Sequence, residues 1–282
     1  MIIDMHTHMF PDRIAVRAVS SLAEGSNLRP HTRGTAESLL SSMEEAGIAR
    51  SVVLPVATKP GQVEHINSGA AALNTAFPGR LFSLGTMHPD CPEPEKELAR
   101  ICSLGLKGFK VHPVFHHTNL DDIRYLRIFD AAASLGLFAV THTGIDIGFP
   151  GEDRASPAMA AHVLASVGSF PLVCAHMGGW GQWEEAVWFL AGTGALIDTA
   201  FSFGIPESLH GWQEGPPRML DREAFLSVVS AFGPDRVLFG SDSPWASQRE
   251  SADWVRALPL SSPDLEKILS GNALRLLGGL PG

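Results

Sequence analysis

Cysteine is scarce: Cys91, Cys102 and Cys174 are the only three in 282 residues, and none is spaced as CxxC or as a zinc finger. An odd, scattered set excludes a disulfide framework and a thiolate metal site. It is the usage of a chain with reduced thiols, which places the protein in the cytoplasm. Charge is sparse as well, at 18% of residues, with Lys+Arg 21 against Asp+Glu 30 and a formal net charge of −9. There is no long basic run, which argues against nucleic acid or an anionic membrane surface as the main partner. No apolar run is long enough to span a bilayer, and Asp4 interrupts the N-terminus before a signal-like stretch can form. What the chain does have is 45% hydrophobic residues, enough for a sizeable core, and twelve histidines.

The opening stretch Ile2-Ile3-Asp4-Met5-His6-Thr7-His8 predicts a short strand ending in two histidines. Strict alternation puts Asp4, His6 and His8 on one face and Ile3, Met5 and Thr7 on the other. Two imidazoles about 6–7 Å apart along a strand can close on a single metal ion. The plain alternative is a histidine pair in a loop after a buried strand.

Short β-rich runs then alternate with helical patterns. Strands are expected at Arg50–Val56, Leu81–Met87, Leu106–His112, Leu137–Thr143, Leu172–His176, Ala195–Thr199 and Arg236–Gly240. Helices are expected at Asp12–Ala23, Thr35–Ala46, Val63–Ala76, Glu93–Ser103, Asp121–Ser134, Pro157–Val167, Trp183–Leu190, Asp221–Phe232, Ser251–Leu258 and Asp264–Leu277. With the opening strand this makes eight βα units, the pattern of a (β/α)8 TIM barrel, as one α/β domain over residues 1–282. A doubly wound open sheet is the runner-up, but the first βα turn has no glycine-rich phosphate loop. The segments 11–34 and 200–218 are longer than connections need to be and are candidates for a lid or substrate loops.

Barrel active sites lie at the C-terminal ends of the strands. Here those ends carry His6 and His8, His88, Lys110 and His112, His142, His176 and Asp242. Each has a bland reading: a satisfied strand-end histidine, a turn-forming aspartate, a lysine paired with a nearby carboxylate. Their gathering at one end of a barrel is much harder to explain as coincidence. His116 and His117, the tryptophans Trp180, Trp183, Trp212 and Trp245, and the loop cations Arg29, Arg33, Arg154 and Arg218 are further pocket candidates, with packing or solubility as the default for each.

With these motifs the chain resembles the amidohydrolase superfamily, in its amidohydrolase-related group, which includes aminocarboxymuconate-semialdehyde decarboxylase and pyrone-dicarboxylate lactonase. The resemblance rests on Asp4-Met5-His6-Thr7-His8, Gly108-Phe109-Lys110-Val111-His112-Pro113, His142-Thr143-Gly144, Ala175-His176-Met177-Gly178-Gly179, Phe239-Gly240-Ser241-Asp242-Ser243-Pro244 and Gly271-Asn272-Ala273-Leu274-Arg275-Leu276-Leu277. It implies one divalent metal on His6, His8, His142 and Asp242, zinc before manganese or iron. It further implies Asp242 as the base and His176 as an acid/base beside it. In two-metal members a carboxylated lysine on the fourth strand bridges the ions. Lys110 stands there, so a second metal on Lys110 and His176, with His112 near, is the less favoured arrangement. As a plain cation, Lys110 would bind a substrate carboxylate or carbonyl oxygen.

Three functions follow in order: hydrolysis of a small amide, lactone or ester; non-oxidative decarboxylation of an unsaturated or aromatic acid; and a metal-binding scaffold without chemistry, which a missing ligand would signal. A pocket of Lys110 and a loop arginine would favour decarboxylation. The expected partner is a small molecule, carboxylate-bearing in the second reading, and rim tryptophans are compatible with a homodimer.

Overall fold

The β-rich runs form short parallel strands whose ends, rather than their lengths, carry the polar residues. In the computed structural model, which describes residues 1–278, they are β1 (Ile3–Thr7), β2 (Arg50–Val53), β3 (Leu81–Ser83), β4 (Gly85–Thr86), β5 (Gly108–Val111), β6 (Phe138–Thr141), β7 (Leu172–Cys174), β8 (Leu196–Asp198) and β9 (Val237–Leu238). Residues 279–282 of the expected domain lie outside the described ones. The ladders join β1-β2-β3 and β4-β5-β6-β7-β8-β9 in chain order, all parallel.

β3 and β4 are two halves of the expected third strand. The Leu84 N–H donates back to Val53 O at 3.0 Å, whereas Gly85 already pairs with Phe109 on the other side. Two asparagines of α3 (Val63–Ala76) satisfy the broken strand: Asn74 bonds both Ser83 N and O, and Asn67 bonds both Thr86 N and O. Closure comes from β1 meeting the segment after β9. The Met5 N–H donates to Phe239 O at 2.8 Å, Asp242 N to His6 O at 2.8 Å and His8 N to Ser243 O at 2.6 Å. The eight strands therefore close into a (β/α)8 barrel.

The other helices are α1 (Asp12–Ser26), α2 (Ala36–Ala46), α4 (Pro94–Ser103), α5 (Ile123–Ser134), α6 (Pro157–Val167), α7 (Trp183–Leu190), α8 (Arg222–Phe232), α9 (Gln248–Arg256), α10 (Ser262–Glu266) and α11 (Asn272–Leu276). Capping side chains set many of the starts. Thr35 and Ser38 form a reciprocal capping box on α2, and Asp122, Ser156 and Asp221 cap α5, α6 and α8. Ser247 caps α9, so that helix begins before the expected Ser251. The expected helix Asp264–Leu277 is interrupted by a π turn over Lys267–Gly271. The widened turn leaves Ile268 O to accept the Phe239 N–H at 2.9 Å, and Asn272 donates to Pro234 O and Val237 O. The helix gives up regularity to satisfy backbone at the foot of β9.

Two apolar layers follow from strand alternation. Val53, Phe109, Val111, Ala139, Ile197 and Val237 face the helices, packing with residues such as Leu39, Met43 and Phe129. Ile3, Met5, Val52, Val140, Val173 and Leu238 form the inner plug. This corrects one expectation. Ile3 and Met5 face the barrel interior, so unbroken alternation would turn His6 away from it. Between Asp4 and Thr7, however, β1 spends one residue more than β2 does. That bulge re-aims His6 toward the mouth. Asp4 points the other way, where it accepts from Ser241 and from Gln248 of α9. Among the described residues no helix is long and apolar enough to cross a membrane.

Candidate active site

Three side-chain atoms able to bind a metal, from opposite ends of the chain, meet at the C-terminal mouth. His6 Nε2 and His8 Nε2 are 3.2 Å apart, and Asp242 Oδ1 lies 3.4 Å from the first and 3.1 Å from the second. What lies behind each ring decides what these atoms are. His8 Nδ1 is 2.9 Å from Leu54 O, which can only accept, so Nδ1 carries the proton. His6 Nδ1 is 2.8 Å from Asp198 Oδ2, with the same consequence. In the neutral rings both Nε2 lone pairs then face each other and a carboxylate oxygen. Three acceptors in contact repel unless a cation lies among them. Their separations match the edges of about 2.9–3.4 Å expected between ligands about 2.0–2.1 Å from one ion. The donor set, two imidazoles and a carboxylate without thiolate, suits a catalytic divalent ion rather than a closed structural site.

Electrostatics agree. Burial pushes His6 well below its ordinary value, with Lys110 adding to the effect, so the ring is neutral near pH 7. Burial would raise Asp242, but the surrounding imidazoles in their protonated form, His6 foremost, outweigh it and hold the carboxyl below the usual range. Asp242 and His176 both sit at positive φ, +73° and +60°. That left-handed backbone is uncommon for residues other than glycine and is found preferentially where function fixes the geometry.

His142 is adjacent but is not one of the converging three. Its Nδ1 is 3.1 Å from His176 Nε2, while its Nε2 is buried without a partner. Its ring stacks on His112 at 4.5 Å, and these two form a separate group with Asp146, whose Oδ2 is 3.3 Å from His112 Nε2. His176 donates from Nδ1 to Ala200 O at 2.9 Å, and its ring is centred 5.1 Å from that of His6. Burial brings His142 down to about 3 and His176 to about 4, and takes His112 well below its usual value. Lys110 is 1% exposed, and no described carboxylate lies within 4.0 Å of its ammonium. Burial brings it down to about 8 against the pull of Asp198, Asp242 and Asp146, which leaves it a cation at neutral pH.

The sequence model of the amidohydrolase family matches residues 3–279. The chain belongs to the amidohydrolase family. No curated protein matches it significantly. Among solved structures it is similar to an uncharacterized TIM-barrel protein from Bordetella bronchiseptica, at 19% identity and TM-score 0.73, covering 98% of both chains. A dihydroxybenzoic acid decarboxylase from a Polaromonas species, solved with bound manganese and the inhibitor 2-nitroresorcinol, matches at 15% identity and TM-score 0.72, covering 98% of this chain and 96% of that one. A putative 2-pyrone-4,6-dicarboxylic acid hydrolase from Pseudomonas putida matches at 17% and 0.65, covering 98% and 97%. At such identities these likenesses establish the shared barrel.

Several pocket candidates of this amidohydrolase-family chain have other employment. His116 bridges Tyr125 OH and Ala57 O (2.7 Å to the latter), a satisfied structural link, and His117 is exposed. His88 is buried and accepts the Asp90 N–H. Trp183 is buried and donates to His176 O, Trp180 is buried, and Trp212 and Trp245 are half-buried packing. Arg29, Arg154 and Arg218 pair with Glu207, Glu152 and Glu184, and Arg33 is exposed. Sequence reading overlooked Asp198 at the end of β8, which holds His6. An aspartate closing an apolar strand on the active-site side was the available signal.

Proposed function

We propose that the protein is a metal-dependent hydrolase of a small carbonyl compound (an amide, lactone or ester), carried by the whole chain as one domain. The reading is carried by the convergence of His6 Nε2, His8 Nε2 and Asp242 Oδ1 as three acceptors in the barrel mouth. These residues would hold one divalent ion, zinc by the chemistry of the donors; His142, the fourth ligand the resemblance implies, keeps a buried Nε2 without a partner but groups with His112 and Asp146. When bound, such an ion polarises a carbonyl and brings the pKa of a bound water to about 7. Asp242, held ionised, is the base that takes a proton at its carboxylate. His176, neutral and anchored through Nδ1, is beside the site to hold or relay that proton.

A second reading, metal-dependent decarboxylation of an unsaturated or aromatic acid, is favoured by one observation. Lys110 is a buried cation without a carboxylate partner, suited to an anionic substrate group. The experiment offers zinc- and manganese-loaded protein two panels, lactones, esters and simple amides against hydroxylated aromatic acids. Acid or amine release without carbon dioxide is expected from the first panel. Carbon dioxide release from the second panel alone would transfer the conclusion to decarboxylation.

A further inference from the structure

We propose that Asp198 is a positioning residue that sets the tautomer of His6 and so decides whether that ring can serve as a ligand; this rests on the cation-site reading above. Asp198 closes β8, is 1% exposed, and uses both oxygens. Oδ2 is 2.8 Å from His6 Nδ1, while Oδ1 accepts the backbone N–H groups of His176 at 2.9 Å and Ala200 at 3.1 Å. His6, His176 and Asp198 are close enough to be taken for a second metal group. Their facing atoms are already spent, because His176 Nδ1 donates to Ala200 O and His6 Nδ1 to Asp198. The trio is a hydrogen-bonded brace.

A carboxylate only accepts, so it fixes the proton on Nδ1 and turns the Nε2 lone pair toward His8 and Asp242. Asparagine has the same shape but one oxygen and one NH₂. The two backbone N–H groups are fixed donors, so the amide oxygen must face them. The NH₂ then faces His6 Nδ1, which has to accept, and the ring proton moves to Nε2, into the place a cation would take. Alanine removes the acceptor but imposes no tautomer, and an arriving cation can still select the right one. Asp198→Asn is therefore more damaging to metal binding than Asp198→Ala, the reverse of what a purely space-filling role predicts.

The test is Mn²⁺ titration by calorimetry of metal-free wild type, Asp198→Asn and Asp198→Ala. It is paired with ¹⁵N ring spectra of the same metal-free proteins, the His6 signals being identified by their loss in His6→Gln. Expected are a Kd about 10–100-fold weaker in the asparagine variant, a smaller loss in the alanine variant, and a His6 proton on Nδ1 in wild type but on Nε2 in Asp198→Asn. Wild-type affinity in Asp198→Asn, equal losses in the two variants, or a His6 proton still on Nδ1 in Asp198→Asn would overturn the proposal. Should the alanine variant fold poorly, the ring spectrum of the isosteric asparagine variant decides alone. Wild-type protein that binds no Mn²⁺ would sink the cation-site reading instead, and the spectra would still decide what Asp198 does.

Discussion

Asp242 combines a charge and a backbone that can be separated by substitution. Its φ of +73° is a conformation asparagine adopts more readily than most residues, so Asp242→Asn removes the negative charge and keeps the turn. We expect turnover to fall at least about 100-fold, the scale of losing a positioned base, with the melting curve nearly unmoved. Full activity in this variant would end the assignment of Asp242 as the base. Replacing His6 and His8 together by alanine deletes two of the three converging acceptors, and metal analysis of the purified double variant should find the site empty. Lys110 separates the two chemical readings. In Lys110→Met an uncharged carbonyl substrate should be turned over with KM little changed, whereas an anionic substrate held by the ammonium should show KM raised by about tenfold or more, the cost of one charge-assisted hydrogen bond.

Strand elements had to approach closely for these residues to meet, and Gly240 shows the tolerance. A Cβ there would lie 2.8 Å from the His6 Cβ and 3.3 Å from that of Ala200. Gly240→Ala should push β1 off the end of β9, cost about 1–3 kcal/mol as overpacking and weaken metal binding, all three readable by denaturation and titration. Most of this architecture was legible in the chain, because strand-to-helix alternation and the polar residues ending each strand are local patterns. Helices such as Val63–Ala76, Pro157–Val167 and Trp183–Leu190 begin and end where their patterns do. Less legible was whatever depended on a partner distant in sequence. The bulge in β1 is visible only against the register of β2. The π turn at Lys267–Gly271 exists because Phe239, nearly thirty positions earlier, needs an acceptor. Asp198 reads as one polar residue in an apolar strand until His6 is beside it.

At the scale of the whole molecule, the mouth is a concentration of histidines that folding keeps neutral, and this makes stability depend on pH. Burial lowers His6, His88, His112, His116, His142 and His176, with His116 and His176 at about 4 and His142 at about 3. Above the unfolded value of about 6.5 these rings are uncharged in both states and contribute no slope. As pH falls from there toward 4, the unfolded chain takes up protons that the native mouth refuses, so stability declines. Asp4, raised to about 6 by burial, acts in the opposite sense over the same interval, and burial raises Asp146 and Asp198 in that same direction. Six histidines against three carboxylates leave the balance with the histidines. Each uncompensated ring contributes about 1.4 kcal/mol per pH unit, and each kcal/mol moves the Tm of a chain this long by about 2–4 °C. The metal-free protein should therefore show its Tm falling steadily between pH 6.5 and 4 at constant ionic strength. Saturating Zn²⁺ should raise the Tm at pH 7 by mass action and lose that increment over the same acid range, because protons then compete for the nitrogens the ion occupies. A metal-free Tm flat across the interval would show that the buried imidazoles are not held neutral, and a Zn²⁺ increment insensitive to acid would place the ion on groups other than His6 and His8.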